Sequence, residues 1–169
     1  MRKVRLVAGG HMTTAPAAVT YASVVLRETV RIALTLAAFN DLAVKCGDVL
    51  NAYITAPVKV NIWTYLGPEN GEYEGKKAII VRVLYDLKPS VDAFRAHLCE
   101  CMAALGYKPC LADPDIWLKA QNQDDIDYYS YILCYVDDIM VIHHDTRPIL
   151  DRIEKLMKLK ESSVGDPYI

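Results

Sequence analysis

Two adjacent aspartates, Asp137 and Asp138, separate two apolar runs at residues 129–136 and 139–143. Apolar runs on both sides of a short polar step predict a β-hairpin with the acids at its tip. Two neighbouring carboxylates repel each other, which raises the pKa of one of them unless a cation is present. Hard divalent cations such as Mg²⁺ suit carboxylate ligands. An ordinary turn, in which Asp side chains bond nearby backbone, is the alternative interpretation.

A third acid on a neighbouring strand would allow such a site to hold two ions. Asp48 is the candidate, because it lies in the β-like segment 43–54. Two ions about 3.5–4 Å apart can activate an attacking hydroxyl and stabilise the leaving oxygen of an in-line phosphoryl displacement. This is the chemistry of nucleotidyl transfer, although the spacing of the acids alone does not establish it.

The elements that must position these acids follow from hydrophobic periodicity and from turn residues. The pattern predicts an α+β fold, a ferredoxin-like split βαβ arrangement with an antiparallel sheet covered by helices on one face. Gly106 is expected to cap a helix in the left-handed conformation, and Pro57 is expected to end a strand. The predicted elements are a strand at 3–8, a loop at 9–22, a helix at 27–42, a strand at 43–54, a turn at 67–77, a strand at 78–85, a helix at 90–105, a short strand at 115–119, the hairpin at 129–143 and a helix at 148–160 capped by Asp145 or Thr146.

Length and composition indicate one ordinary globular domain of 169 residues, with 53% hydrophobic and 24% charged residues. A nucleic-acid binder is usually basic, whereas the net charge here is -2. A carboxylate cluster is a partial exception, because bound metal ions restore the charge. The five cysteines include no C-x-x-C pair, which favours thiols in a reducing compartment over a zinc site or disulfides. No signal peptide or membrane span is expected.

Several ordered blocks resemble copia-type (Ty1/copia) retrotransposon reverse transcriptases. Tyr135-Val-Asp-Asp138 resembles their signature box, and Asp48-Val-Leu-Asn-Ala-Tyr53 resembles their upstream acid box. Three further segments resemble other blocks of the same family, the last of them its opening fingers strand. They are Arg27-Glu-Thr-Val-Arg31, Val83-Leu-Tyr-Asp-Leu-Lys88 and Arg2-Lys-Val-Arg-Leu-Val-Ala-Gly9.

The resemblance implies a reverse-transcriptase palm with partial fingers and the activity of an RNA-directed DNA polymerase, a nucleotidyltransferase. Asp48, Asp137 and Asp138 would be catalytic and would bind two Mg²⁺ ions, with the backbone carbonyl of Val49 as a further ligand. Tyr135 and Val136 complete the YVDD motif.

The resemblance also implies three nucleotide-binding residues. Tyr53 matches an aromatic position beneath the incoming sugar, where a ring leaves no room for a 2′-hydroxyl. Arg5 matches a fingers arginine that contacts the triphosphate, since a guanidinium binds phosphate through two donors. Lys88 lies in a block that lines the template and nucleotide path. Ordinary packing explains Tyr53 equally well from the residues alone, and solvent exposure does so for Arg5 and Lys88.

The expected partners are an RNA/DNA primer–template, deoxynucleoside triphosphates and the thumb, ribonuclease H and integrase regions of a polyprotein that serves DNA integration. Residues 1–169 are interpreted as a single fingers-and-palm domain truncated before the thumb. The expected location is intracellular, in a cytoplasmic virus-like particle or in the nucleus, with no membrane partner.

The block from Asp86 to Asp92 departs from the family pattern Tyr-Gly-Leu-Lys-Gln followed by a small residue, Pro and Arg. Asp86 replaces Gly, Pro89 replaces Gln, and Val91-Asp92 replaces Pro-Arg. A glycine with positive φ is not easily replaced, and acids near a nucleic-acid path are unfavourable. These changes favour the alternative of a degenerate, non-catalytic relic or a nucleic-acid-binding module that retains the fold. A template-independent nucleotide cyclase is a third interpretation.

Overall fold

A computed structural model describes residues 24–85, 87, 90–160 and 164–166 and combines helices with antiparallel strands. The predicted α+β class is therefore confirmed, whereas the strand predicted at 3–8 and the loop predicted at 9–22 lie outside the described residues. The elements are α1 (Arg27–Phe39), β1 (Ala43–Asp48), α2 (Ala52–Thr55), β2 (Pro57–Tyr65), a 3₁₀ segment (Pro68–Tyr73), β3 (Lys77–Arg82), α3 (Ser90–Ala104), β4 (Lys108–Pro109), β5 (Ile116–Gln123), β6 (Ile126–Tyr135), β7 (Asp138–His143) and α4 (Arg147–Leu156).

The chain divides into two compact units. One contains Asn51–His97 and includes the antiparallel ribbon β2–β3. The other contains Ala22–Leu50 and Leu98–Ile169 and includes a five-stranded sheet in the order β1-β7-β6-β5-β4. All neighbouring strands of that sheet are antiparallel. None of the helices in the described ranges is long and apolar enough to cross a membrane.

The central strands of the five-stranded sheet are buried on both faces. Helix α1 packs on one face, where its buried Ala33 and Ala37 form a cluster with Leu133 and Ile142. Side chains alternate between faces along a strand, so the fully buried Ile132 of β6 belongs to the opposite face. The prediction that helices cover one face of the sheet is therefore incomplete, because the opposite face of the central strands is buried as well.

A hairpin turn sets the register of β5 with β6. Asp124 and Asp125 both have positive φ and connect β5 to β6 in a two-residue turn, a conformation that Asp tolerates better than most residues. Pairing with β6 also extends β5 to Gln123, beyond the short strand predicted at 115–119.

Helix boundaries follow the sequence signals closely at some ends. Helix α3 begins at Ser90 as predicted, and Gly106 has φ 84°, which confirms the left-handed cap. Helix α1 ends at Phe39 rather than at residue 42, because Asp41 adopts a left-handed conformation with φ 50°.

Three further predicted boundaries were wrong. The strand predicted at 43–54 ends at Asp48, because Asn51 has φ 52° and starts the short helix α2. Pro57 does not end a strand but begins β2, a first position that proline tolerates. Helix α4 ends at Leu156 rather than at residue 160. The chain that follows it is extended and forms isolated antiparallel bridges with Cys46 and Val49.

Candidate active site

The pairing of β1 with β7 brings Asp48 and Asp138 together. Six consecutive Cα partners run from Ala43↔His143 to Asp48↔Asp138. Directly opposite residues of an antiparallel pair project from the same face, with Cβ atoms about 4.5–5.5 Å apart. The two acids predicted on neighbouring strands are therefore cross-strand neighbours at the end of this ladder.

Asp137 lies in the two-residue turn between β6 and β7. Tyr135 and Asp138 are Cα partners across that turn, and Val136 occupies its first central position with φ 55°. A β-branched residue with positive φ is strained, at a cost of about 1–3 kcal/mol that the surrounding structure must offset. Such strain often accompanies functional sites, because it holds neighbouring groups in a fixed direction.

A backbone hydrogen bond joins this turn to the segment that follows Asp48. The N–H of Val49 donates to the carbonyl oxygen of Asp137 at 2.8 Å, and Val49 is buried. The two acid-bearing segments are thus fixed to each other through the main chain. The carbonyl of Val49 as a metal ligand remains a prediction.

The three carboxylates form one electrostatic cluster together with a lysine. Burial, followed by the charges of Asp137 and Asp48, raises the pKa of the Asp138 carboxyl above its usual value, while Lys160 lowers it. The hydrogen bond to Asp48 raises the pKa of the Lys160 ammonium most, with further contributions from the charges of the three acids. The ammonium of Lys160 donates to Oδ2 of Asp48.

Lys160 is the residue of this cluster that sequence reasoning missed. The sequence predicts residue 160 at the end of a helix, and no motif distinguishes it from its lysine neighbours. Only the pairing of the chain after α4 with β1 brings it to Asp48, so local sequence contains no signal for this contact.

The donor chemistry of the acids suits Mg²⁺, because carboxylate oxygens are hard ligands. In the part of the chain that the structure describes, however, no three His, Cys, Asp or Glu side chains converge to hold a metal ion. A bound ion would therefore require these carboxylates to reorient. Carboxyl side chains at a strand end and in a turn can do so by rotamer changes alone.

An apolar pocket of about 360 Å³ adjoins Asp138. Tyr135, which also lines this pocket, is 53% exposed, so the aromatic residue of the motif is accessible beside the acids. The pocket is lined also by Val25, Val30, Cys46, Leu133 and Met140.

Tyr53 lies in the other unit, on helix α2 rather than on the predicted strand. Its ring packs edge-on against Tyr85 and Phe94, with centroid distances of 5.1 and 5.8 Å. The ring is therefore held in one orientation by two aromatic neighbours. Arg5 and Lys88, the other predicted nucleotide-binding residues, lie outside the described residues, as do Asp86 and Pro89.

The family is shown by comparison with known proteins. A family model described as "Reverse transcriptase (RNA-dependent DNA polymerase)" matches residues 1–166, and the chain belongs to that family. The similarity to copia-type elements inferred from the motif blocks is thereby confirmed, and the relatives below agree with it.

Two curated relatives are retrotransposon polyproteins. The chain is 27% identical over 128 residues to the "Retrovirus-related Pol polyprotein from transposon TNT 1-94" of Nicotiana tabacum, which covers 74% of this chain and 9% of the relative. It is 24% identical over 168 residues to the corresponding polyprotein from transposon RE2 of Arabidopsis thaliana, covering 94% of this chain and 11% of that protein. The chain thus spans about a tenth of the length of either relative.

Proposed function

We propose that this chain is the palm and part of the fingers of a retrotransposon reverse transcriptase, which adds deoxynucleotides to a primer 3′-hydroxyl on an RNA template. The observation that carries the proposal is the pairing of Asp48 with Asp138 across β1 and β7, beside Asp137 in a strained turn. Family membership supports the same reaction. The polyprotein relatives support partners in a thumb, a ribonuclease H and an integrase.

In this proposal Asp48, Asp137 and Asp138 would hold two Mg²⁺ ions, together with the carbonyl of Val49. Such ions, when bound, activate the attacking hydroxyl and neutralise charge on the leaving oxygen. The protein contributes the position of the acids. The Val49–Asp137 main-chain bond and the register of β1 with β7 fix the two acid-bearing segments before any substrate arrives, which limits reorganisation during the reaction.

We propose Tyr53 as the residue that discriminates against a 2′-hydroxyl. Its edge contacts with Tyr85 and Phe94 support this role, since a ring that is packed on two sides cannot rotate away to admit a larger sugar. Replacement of Tyr53 by Val should therefore increase ribonucleotide incorporation relative to deoxynucleotide incorporation. Arg5 and Lys88 are proposed to contact the triphosphate and the template path, respectively.

The test is incorporation of one deoxynucleotide by the 169-residue chain, on an RNA template with a DNA primer and Mg²⁺. The Asp137→Asn variant is the matched control, because it keeps the size of the side chain and removes one negative charge. Incorporation that the control abolishes would support the proposal. A folded chain that incorporates nothing, even when the thumb region of a relative is supplied, would refute it.

A second candidate, a relic that keeps the fold without catalysis, is favoured by the ion pair between Lys160 and Asp48. An ammonium can neutralise a carboxylate cluster without any divalent ion, so a chain that had lost metal binding would stay folded. Nucleic-acid binding that is indifferent to Mg²⁺ and to the Asp137→Asn change would identify this alternative.

A further inference from the structure

Strand β1 is an edge of the five-stranded sheet, and the chain after α4 covers that edge. We call the described residues 158–160 and 164–166 the strap. The strap runs antiparallel to β1, with bridges between Val49 and Leu159 and between Cys46 and Gly165. Backbone bonds at both ends hold it there. They are Leu50 N–H to Lys158 O at 2.7 Å, Lys160 N–H to Asp48 O at 2.9 Å, Cys46 N–H to Gly165 O at 2.8 Å and Gly165 N–H to Cys46 O at 3.1 Å.

Side chains reinforce the same register. Leu159 is buried against Gly47, where an added Cβ would lie 3.3 Å from a Leu159 methyl carbon. The ammonium of Lys45 pairs with Asp166 of the strap at 2.7 Å. The position of Lys160 opposite Asp48 is therefore set by the strap as a whole and not by a chance contact of one flexible side chain.

This register places the ammonium of Lys160 beside the acid cluster. The main-chain N–H of Lys160 donates to the carbonyl oxygen of Asp48, and the ammonium of Lys160 donates to Oδ2 of Asp48. The ammonium is also close enough to Asp137 and Asp138 for their charges to act on it. A carboxylate oxygen that accepts from an ammonium loses part of its capacity to bind a second cation, so an ammonium and a divalent ion compete for Asp48.

We propose that Lys160 is a resident counter-cation of the acid cluster, delivered by the strap, which a divalent ion must displace from Asp48 in order to bind. The inference rests on the proposed metal-binding role of the acids. The side chains of Lys160 and Asp48 are 40% and 25% exposed, so the pair is partly screened and can be displaced. Lys160 thus lowers the affinity of the cluster for divalent ions and keeps the hairpin neutralised between binding events.

The test is Mn²⁺ binding to the 169-residue chain, followed through the electron paramagnetic resonance signal of free Mn²⁺. Lys160→Met removes the charge and retains side-chain length, and it should bind Mn²⁺ roughly threefold to tenfold more tightly than the wild type. Lys160→Arg keeps the charge and should bind with wild-type affinity. Lys158→Met, the matched control, removes the same charge two residues earlier on the strap and should change affinity less than twofold.

Equal or weaker Mn²⁺ binding by a folded Lys160→Met variant, with clear binding by the wild type, would overturn the inference and leave the proposed function intact. Absence of binding in the wild type, in Lys160→Met and in Asp137→Asn alike would overturn both. A measurement on the wild type needs no variant. The Nζ resonance of Lys160 should shift when Mg²⁺ is added, and an unchanged resonance at saturating Mg²⁺ would also overturn the inference.

Discussion

Asp113 is a buried acid outside the candidate site whose removal should destabilise the unit that holds it. The residue is 5% exposed, and its carboxylate accepts two backbone N–H groups, from Leu26 at 3.1 Å and from Asp115 at 3.1 Å. Leu26 immediately precedes α1, which has no side-chain cap of its own. Asp113 therefore ties the start of that helix to a segment 87 residues away.

The magnitude follows from these two bonds. Hydrogen bonds to charged groups contribute about 1.5–3 kcal/mol each, and 3.1 Å is long for such a bond, so the lower value applies. Asp113→Ala should lower the free energy of unfolding by about 3 kcal/mol, which corresponds to about 6–12 °C in Tm for a chain of this size. Asp113→Asn keeps one acceptor oxygen and should lose about half as much.

Thermal unfolding followed by circular dichroism, with urea titration as a second probe, measures both variants. Glu154→Gln is the control, since it neutralises an exposed acid on α4 and should change stability by less than about 0.5 kcal/mol. Amide exchange adds a local readout, because the Leu26 N–H should lose protection in Asp113→Ala. An Asp113→Ala protein within about 1 kcal/mol of the wild type would refute the assignment of two working hydrogen bonds.

Three further predictions test the packing around the strap, the ring of Tyr53 and a buried hydroxyl. Gly47→Val should push Leu159 from its place and destabilise by about 1–3 kcal/mol, with increased proteolysis after α4; an unchanged cleavage pattern would contradict the role of the strap. Tyr53→Ala should lose about 1–3 kcal/mol, since its half-buried ring makes edge contacts with two other rings, and urea unfolding measures this loss. Burial raises the pKa of Tyr107 above 10.0, so the unfolded chain releases this proton first and stability falls as pH rises through that range. In Tyr107→Phe, which loses the titrating hydroxyl and the bond from Ser130 Oγ at 3.0 Å, the loss of stability at alkaline pH should be smaller. An equal loss of stability in the two proteins would contradict this prediction.

The sequence predicted the hairpin that carries Asp137 and Asp138 correctly, because the signals for it are local. An acid pair between two apolar runs defines a hairpin without reference to the rest of the chain, and β6 and β7 flank Asp137 as expected. Helices α1 and α3 were predicted for the same reason, since their apolar residues recur at helical spacing. Gly106 marked the end of α3 because few other residues adopt its conformation.

The misplaced boundaries occur where a left-handed residue or pairing with a distant segment overrides local preference. The β-like residues around Tyr53 form a helical turn, because Asn51 adopts the left-handed conformation and redirects the chain. The predicted end of α4 is extended instead, because pairing with the edge of β1 satisfies the backbone of residues 158–160 better than another helical turn would. Strand β5 is likewise longer than predicted, because it pairs with β6 as far as Gln123.

By itself the sequence determined the fold class and the hairpin and indicated three candidate acids, since these depend on residue type and on short-range periodicity. The tertiary structure alone decided that Asp48 lies opposite Asp138 and that Lys160 lies on Asp48, through pairing between segments 90 and 112 residues apart. Register between distant strands is set by the burial of whole faces and by the main-chain bonds of the sheet. No local pattern in the sequence encodes which residues that register brings together.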